Sequence, residues 1–153
     1  MPGKIDLKHI IATLKLAAIC VLATSGTLAV AAQGTSADEL LSTADHVVQQ
    51  IDSNRYVDVW RDAAPFVKAK IPQDQFVSVT RQSRRALGAV IRRGWGSVAR
   101  VQYTGQSGIP DGLYANVNYA TTLTNGQSVI ELLSFQLGQD GTWHLTGYVP
   151  HQR

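Results

Sequence analysis

The sequence predicts an α+β domain in which three helices pack on one face of a four-stranded antiparallel sheet. Apolar residues recur at helical spacing from Leu40 to Val90, and from about Gly94 the period drops to two. Three tight-turn signals then divide the C-terminal half into strand-length pieces: Pro110-Asp111-Gly112, Asn125-Gly126 and Asp140-Gly141.

The first helix opens on Ser36-Ala37-Asp38-Glu39, a capping box in which the serine oxygen takes one free helix N–H and Glu39 reaches back for another. Leu40, Ala44, Val47, Val48 and Ile51 form its apolar stripe. The second helix carries Tyr56, Trp60, Ala63 and Val67 on one side, with Pro65 kinking or ending it. After Ile71-Pro72 a third helix presents Phe76, Val79, Ser83, Ala86, Leu87 and Val90, and either ends at Gly88 or runs on towards Ile91. Strands are expected over Trp95–Tyr103, Leu113–Leu123, Val129–Leu137 and Thr142–Val149, with Pro150 stopping the last.

The N-terminus has the order of a secretory signal. Lys4, Lys8 and Lys15 precede the apolar run Leu16–Ala23, and Ala29-Val30-Ala31-Ala32 supplies small residues for cleavage after Ala31 or Ala32. Thr24 to Thr27 interrupt the apolar stretch, which argues against a membrane anchor, and Ile19 before Cys20 argues against lipid attachment. The expected organisation is a signal peptide over 1–32 and one domain over 33–153, exported to the periplasm or the medium, with no stable membrane insertion after cleavage.

Export changes the reading of composition. The chain has 14 basic and 11 acidic residues, a net charge of +3. Residues 1–32 hold three lysines and one aspartate, so the remainder is 11 against 10, or +1. That balance, without a recognisable binding motif, does not describe a nucleic-acid binder. Cys20 is the one cysteine and leaves with the signal, so no metal or redox chemistry rests on sulfur. No cofactor is implied. His46, His144 and His151 show no metal-ligand spacing, and no serine sits in a Gly-x-Ser-x-Gly elbow.

From Leu40 to Tyr148 a set of residues carries a family resemblance. Trp60 is followed by Ala63-Ala64 and Phe66, then by Arg84-Arg85-Ala86-Leu87-Gly88 and Arg92. Pro110-Asp111-Gly112-Leu113-Tyr114, Glu131, Asp140-Gly141-Thr142-Trp143 and Gly147-Tyr148 complete it. The pattern resembles DUF4019, a bacterial family of exported proteins of unknown function, with Phe76 where that family more often shows Trp. The order of helices and sheet also looks like the NTF2-like and cystatin-like group, which implies a fold but no particular activity.

Two features are candidates for function. From Asp38 to Asp62 six acids face two arginines, a net of −4, whereas from Lys68 to Arg100 eight bases face Asp74 alone, a net of +7. Arg81, Arg85 and Arg92 share a face if the helix continues through Gly88. With Arg84, Arg93 and a partly exposed Trp95 they form a candidate surface for a partner protein or a small anionic ligand. The bland alternative is that acidic early helices lie against basic later elements.

Glu131 is the second feature. It shares the parity of Val129, Leu133 and Phe135 and so points inward, where a carboxylate must be paired or must shift its pKa. The resemblance, which contains both arginines, implies a structural cluster of Arg84, Arg92 and Glu131. Alternatively Glu131 lines a pocket with Tyr119 or Tyr148 and acts as a general acid or base. The sequence thus points to an exported, non-enzymatic binding domain, with an NTF2-like pocket enzyme and an envelope-maintenance protein as alternatives.

Overall fold

The computed structural model describes residues 36–152, so the expected signal peptide and its cleavage point lie outside the described residues. Among the described residues no helix is long and apolar enough to cross a membrane.

Helix α1 spans Ala37–Asp52, and Ser36 caps it by accepting a 3.0 Å bond from the Glu39 amide. All five residues of its expected stripe are buried. Asn54, at φ 59°, reverses the chain into α2, Tyr56–Arg61. The single second helix of the expectation is two helices. Pro65 has no N–H to give and opens a new helix, α3, Pro65–Lys70, at the position where none is needed. Ala63 and Ala64 at the break are both buried.

Helix α4, Gln73–Leu87, stops at Gly88, whose φ of 83° is open to glycine and strained for other residues. Its inner stripe differs from the expected one. Phe76 and Thr80 are buried, Arg84 continues that row, and Val79 is 58 % exposed. The buried stripe is centred on Phe76 and Thr80 with half-buried Val77, Arg84 and Leu87 about it, and Val79, three residues after Phe76, lies at its outer margin.

Four antiparallel strands follow in sequence order: β1 Val90–Tyr103, β2 Gly112–Leu123, β3 Ser128–Leu137 and β4 Trp143–Gln152. β1 starts five residues before the expected Trp95, and two bulges, between Val90 and Arg92 and between Trp95 and Ser97, break its register. β4 runs through Pro150, which pairs with Glu131. An edge strand tolerates proline because its outward N–H has no ladder partner to lose.

Ala115, Val117, Tyr119, Leu133, Phe135, Trp143 and Leu145 on one sheet face share a core with residues of α1 to α4. Side chains of the other parity, such as Asn116, Asn118, Ile130 and Leu132, are half-buried or exposed. Among the described residues the α+β layout is the expected one, with four helices instead of three.

Candidate functional site: a buried ion cluster and an open sheet edge

The strand period places Glu131 inward, and only 1 % of it is exposed. Three donors converge on its carboxylate. Oε1 accepts from Arg93 Nε at 2.7 Å and from Thr121 Oγ1 at 2.6 Å, and Oε2 accepts from the Tyr148 hydroxyl at 2.6 Å. Arg93 also donates to Asp52 at the end of α1, from Nη1 at 2.6 Å, and Arg84 Nε donates to the same carboxylate at 2.8 Å. Two carboxylates and two guanidiniums thus join α1, α4, β1 and β3 in a group of zero net formal charge.

The cation beside Glu131 is Arg93, not the expected Arg84 or Arg92. Arg93 pairs with Thr121 across the β1–β2 ladder and so lies on the core face, whereas Arg92 pairs with Thr122 and lies on the opposite face, exposed. Arg84 belongs to the cluster through Asp52. Its Nη1 also bonds the Gly88 carbonyl at 2.7 Å, satisfying the helix end.

The electrostatics follow from this packing. Burial opposes ionisation of Asp52, but hydrogen bonds from Arg93 and Arg84 and their charges prevail and hold its pKa below 3.8. Burial likewise works against the charge on Arg93, and the bonds to Asp52 and Glu131 overcome it, so the guanidinium stays protonated. Burial and then the Glu131 charge push the Tyr148 hydroxyl well above the usual tyrosine range. Burial and its 2.5 Å bond to Asp45 do the same for Tyr119. Both phenols are fixed donors, and Tyr119 is directed at α1 and not at Glu131.

The expected arginine face does not assemble. α4 ends at Leu87, so Arg92 is not on the same helix as Arg81 and Arg85. Arg81 lies over the Tyr56 ring at 5.6 Å, and Arg85 is exposed on α4. Lys68 and Lys70 bond the carbonyls of Arg61 and Gly108, each at 2.7 Å. The charge asymmetry is partly spent within the fold, at Asp52. Among the described residues no group of three His, Cys, Asp or Glu is placed to hold a metal. His144 contacts Asp140, Thr142 and the Asp62 carbonyl, stitching the last turn to the end of α2.

The feature that sequence reasoning passed over is the contrast between the two sheet edges. β4 is protected: Pro150 offers an added strand no N–H, and the Ala64 amide donates to the Leu145 carbonyl at 2.9 Å. β1 is protected only in its first half, by the two bulges and Arg92. From Ser97 to Tyr103 its register with β2 is unbroken. Apart from a 3.3 Å contact from the Gln102 amide to the Tyr103 carbonyl, no bond from the described residues reaches that backbone beyond its β2 pairing. Val98 and Val101 are 37 % and 44 % exposed, and Trp95, between its two glycines, is 60 % exposed. The signal was present in the sequence, since Val98-Ala99-Arg100-Val101 has no proline or glycine and Arg100 is its one charge to blunt an edge.

A family model described as "Protein of unknown function (DUF4019)" matches residues 43–148. No curated protein sequence matches the chain. Among solved structures it is similar to ActVI-ORFA from Streptomyces coelicolor, with 15 % identity over 75 % of this chain and 95 % of that one and a TM-score of 0.46.

Proposed function

We propose that this chain, which belongs to the DUF4019 family of proteins of unknown function, is a binding domain that captures a polypeptide along the open edge of β1. The observation that carries this reading is the unbroken, uncovered stretch Ser97–Tyr103. A free edge of that kind offers a row of backbone donors and acceptors to an added strand. The pocket-enzyme alternative is less well supported, because Glu131 is buried beneath three donors and its position leaves a substrate no approach. In this proposal the domain acts outside the cytoplasm, which rests on the sequence of residues 1–32 alone.

The test is a selection of random displayed heptapeptides on the full-length protein, followed by affinity measurements on Val98→Lys and Val101→Lys. Strand-forming peptides should be enriched and should bind either variant roughly tenfold more weakly, while circular dichroism stays unchanged. Enrichment of nothing, or equal affinity for the variants, overturns the reading.

A further inference from the structure

A cleft of about 360 Å³ opens from the edge stretch of β1 across the sheet, lined by Val101, Tyr103, Ile109 and Tyr114 at the β1 end and by the polar Asn116, Ser134 and Thr146 from β2, β3 and β4. Its wall is built by the strand alternation and by the loop after β1. Val101 pairs with Tyr114 and Tyr103 with Gly112, and the Tyr103 and Tyr114 rings meet edge to face with centroids 5.1 Å apart. The Tyr114 hydroxyl donates to the Pro110 carbonyl at 2.9 Å, which holds the loop carrying Ile109. Among the described residues none that is charged lines the cleft.

The opposite face of the same stretch differs. Arg100 pairs with Ala115 and therefore points to the other side of the sheet, where it lies 5.9 Å from the Trp143 ring centroid. Arg100 is exposed, and among the described residues no carboxylate pairs with it. β1 contains three arginines and no acid, and Arg93 is the one neutralised within the fold.

We infer that the partner strand is an acidic, apolar-flanked segment, in which one carboxylate lies against Arg100 and the apolar residues on either side of it face the cleft. This rests on the proposed capture at β1 and deepens it. An added strand alternates its side chains as β1 does, so a residue beside Arg100 shares the arginine's face and its neighbours take the face of Ala99 and Val101. Backbone bonds supply affinity that is independent of sequence, and the cleft and Arg100 supply selectivity. A second copy of this chain is a poor occupant. Antiparallel self-pairing of Ser97–Tyr103 in full register sets Arg100 directly opposite its own copy, and like charges directly opposite are destabilising.

The experiment uses capped seven-residue peptides with the full-length protein, read by fluorescence anisotropy. The central triplet is Phe-Glu-Leu, with Phe-Lys-Leu and Ala-Glu-Ala as controls. Phe-Glu-Leu should bind at least roughly tenfold more tightly than either control, and Arg100→Glu should reverse the preference towards Phe-Lys-Leu. Equal binding of all three peptides, or an unchanged preference on Arg100→Glu, overturns the inference. If library-selected peptides of other composition bind at β1 while Phe-Glu-Leu does not, the chemistry assigned here falls and the edge reading stands. If no peptide binds, both fall. If sedimentation shows a dimer of the protein alone that Val101→Lys dissociates, the occupant is a second copy and the inference is wrong.

Discussion

Replacing Arg93 with methionine tests whether the ion cluster is a structural joint. Glu131 is 1 % exposed and, among the described residues, its one cationic contact is Arg93 Nε, so Arg93→Met strands a buried carboxylate with two neutral donors, Thr121 and Tyr148. Breaking a buried pair in this way costs about 3–5 kcal/mol. Glu131→Gln is gentler. The amide keeps an acceptor for a neutral donor, and Arg93 retains Asp52 at 2.6 Å, so the loss is one charged hydrogen bond, about 1.5–3 kcal/mol. In the E131Q background Arg93→Met no longer leaves Glu131 as a buried charge, and its cost should drop by about 1–3 kcal/mol relative to wild type. Urea unfolding followed by the fluorescence of Trp60, Trp95 and Trp143 reads all four proteins, with a constant slope showing that the end states are comparable. Arg93→Met costing less than about 1 kcal/mol, or the two substitutions adding without coupling, would refute the joint.

Asp52 has a folded pKa below its ordinary 3.8, so its contribution is fully present above that value and is lost as pH falls through the folded one. Acid titration of Asp52→Asn should therefore lack part of the wild-type loss of stability below about pH 4, and identical acid limbs would count against the assignment. Gly88→Ala meets no neighbouring atom but must hold φ 83°, so it should cost about 1–2 kcal/mol by thermal unfolding; a neutral result would mean that the helix end relaxes. Phe135→Ala, at a fully buried position in the core, should lose about 3–5 kcal/mol in the same measurement. Gly138→Ala would set a Cβ 2.5 Å from Asp140 Oδ1 and 2.8 Å from His144 Cδ2. Both are ends of side chains at a surface turn that must swing aside, so a loss of about 0.5–1 kcal/mol is expected, with hydrogen exchange rising first in the turn between β3 and β4.

What the sequence disclosed depended on how far each signal reaches along the chain. The α1 stripe, the Asn-Gly hairpin and the inward parity of Glu131 are decided by neighbours within a few residues, and each stands in the structure as the pattern implies. The Glu131 partner was not legible, because Arg92 and Arg93 are adjacent and only the register decides which faces inward. The bulge between Val90 and Arg92 contributes to that register, and a bulge is an outcome of pairing that no local period announces. Val79 misled for a related reason: apolar character favours burial, but the row from Phe76 runs through Thr80 to Arg84, which is needed at Asp52.

The same dependence on pairing explains why β1 is the surface worth testing. Edge status is not a property of a segment, since Val98–Val101 in a central strand would be ordinary buried sheet. It becomes informative only when β1 is the outermost of four strands, while the opposite edge is closed by Pro150 and by the Ala64 amide. The fold protects β4 and the first half of β1, and leaves seven residues in regular register with exposed valines. An edge of this kind is an aggregation hazard unless a partner occupies it. Val101→Lys separates the two possibilities without a ligand in hand. If the edge is only a hazard, the variant should aggregate more slowly on heating and otherwise behave as wild type. If the edge is a docking strand, the same variant should also lose the peptides that the wild type selects.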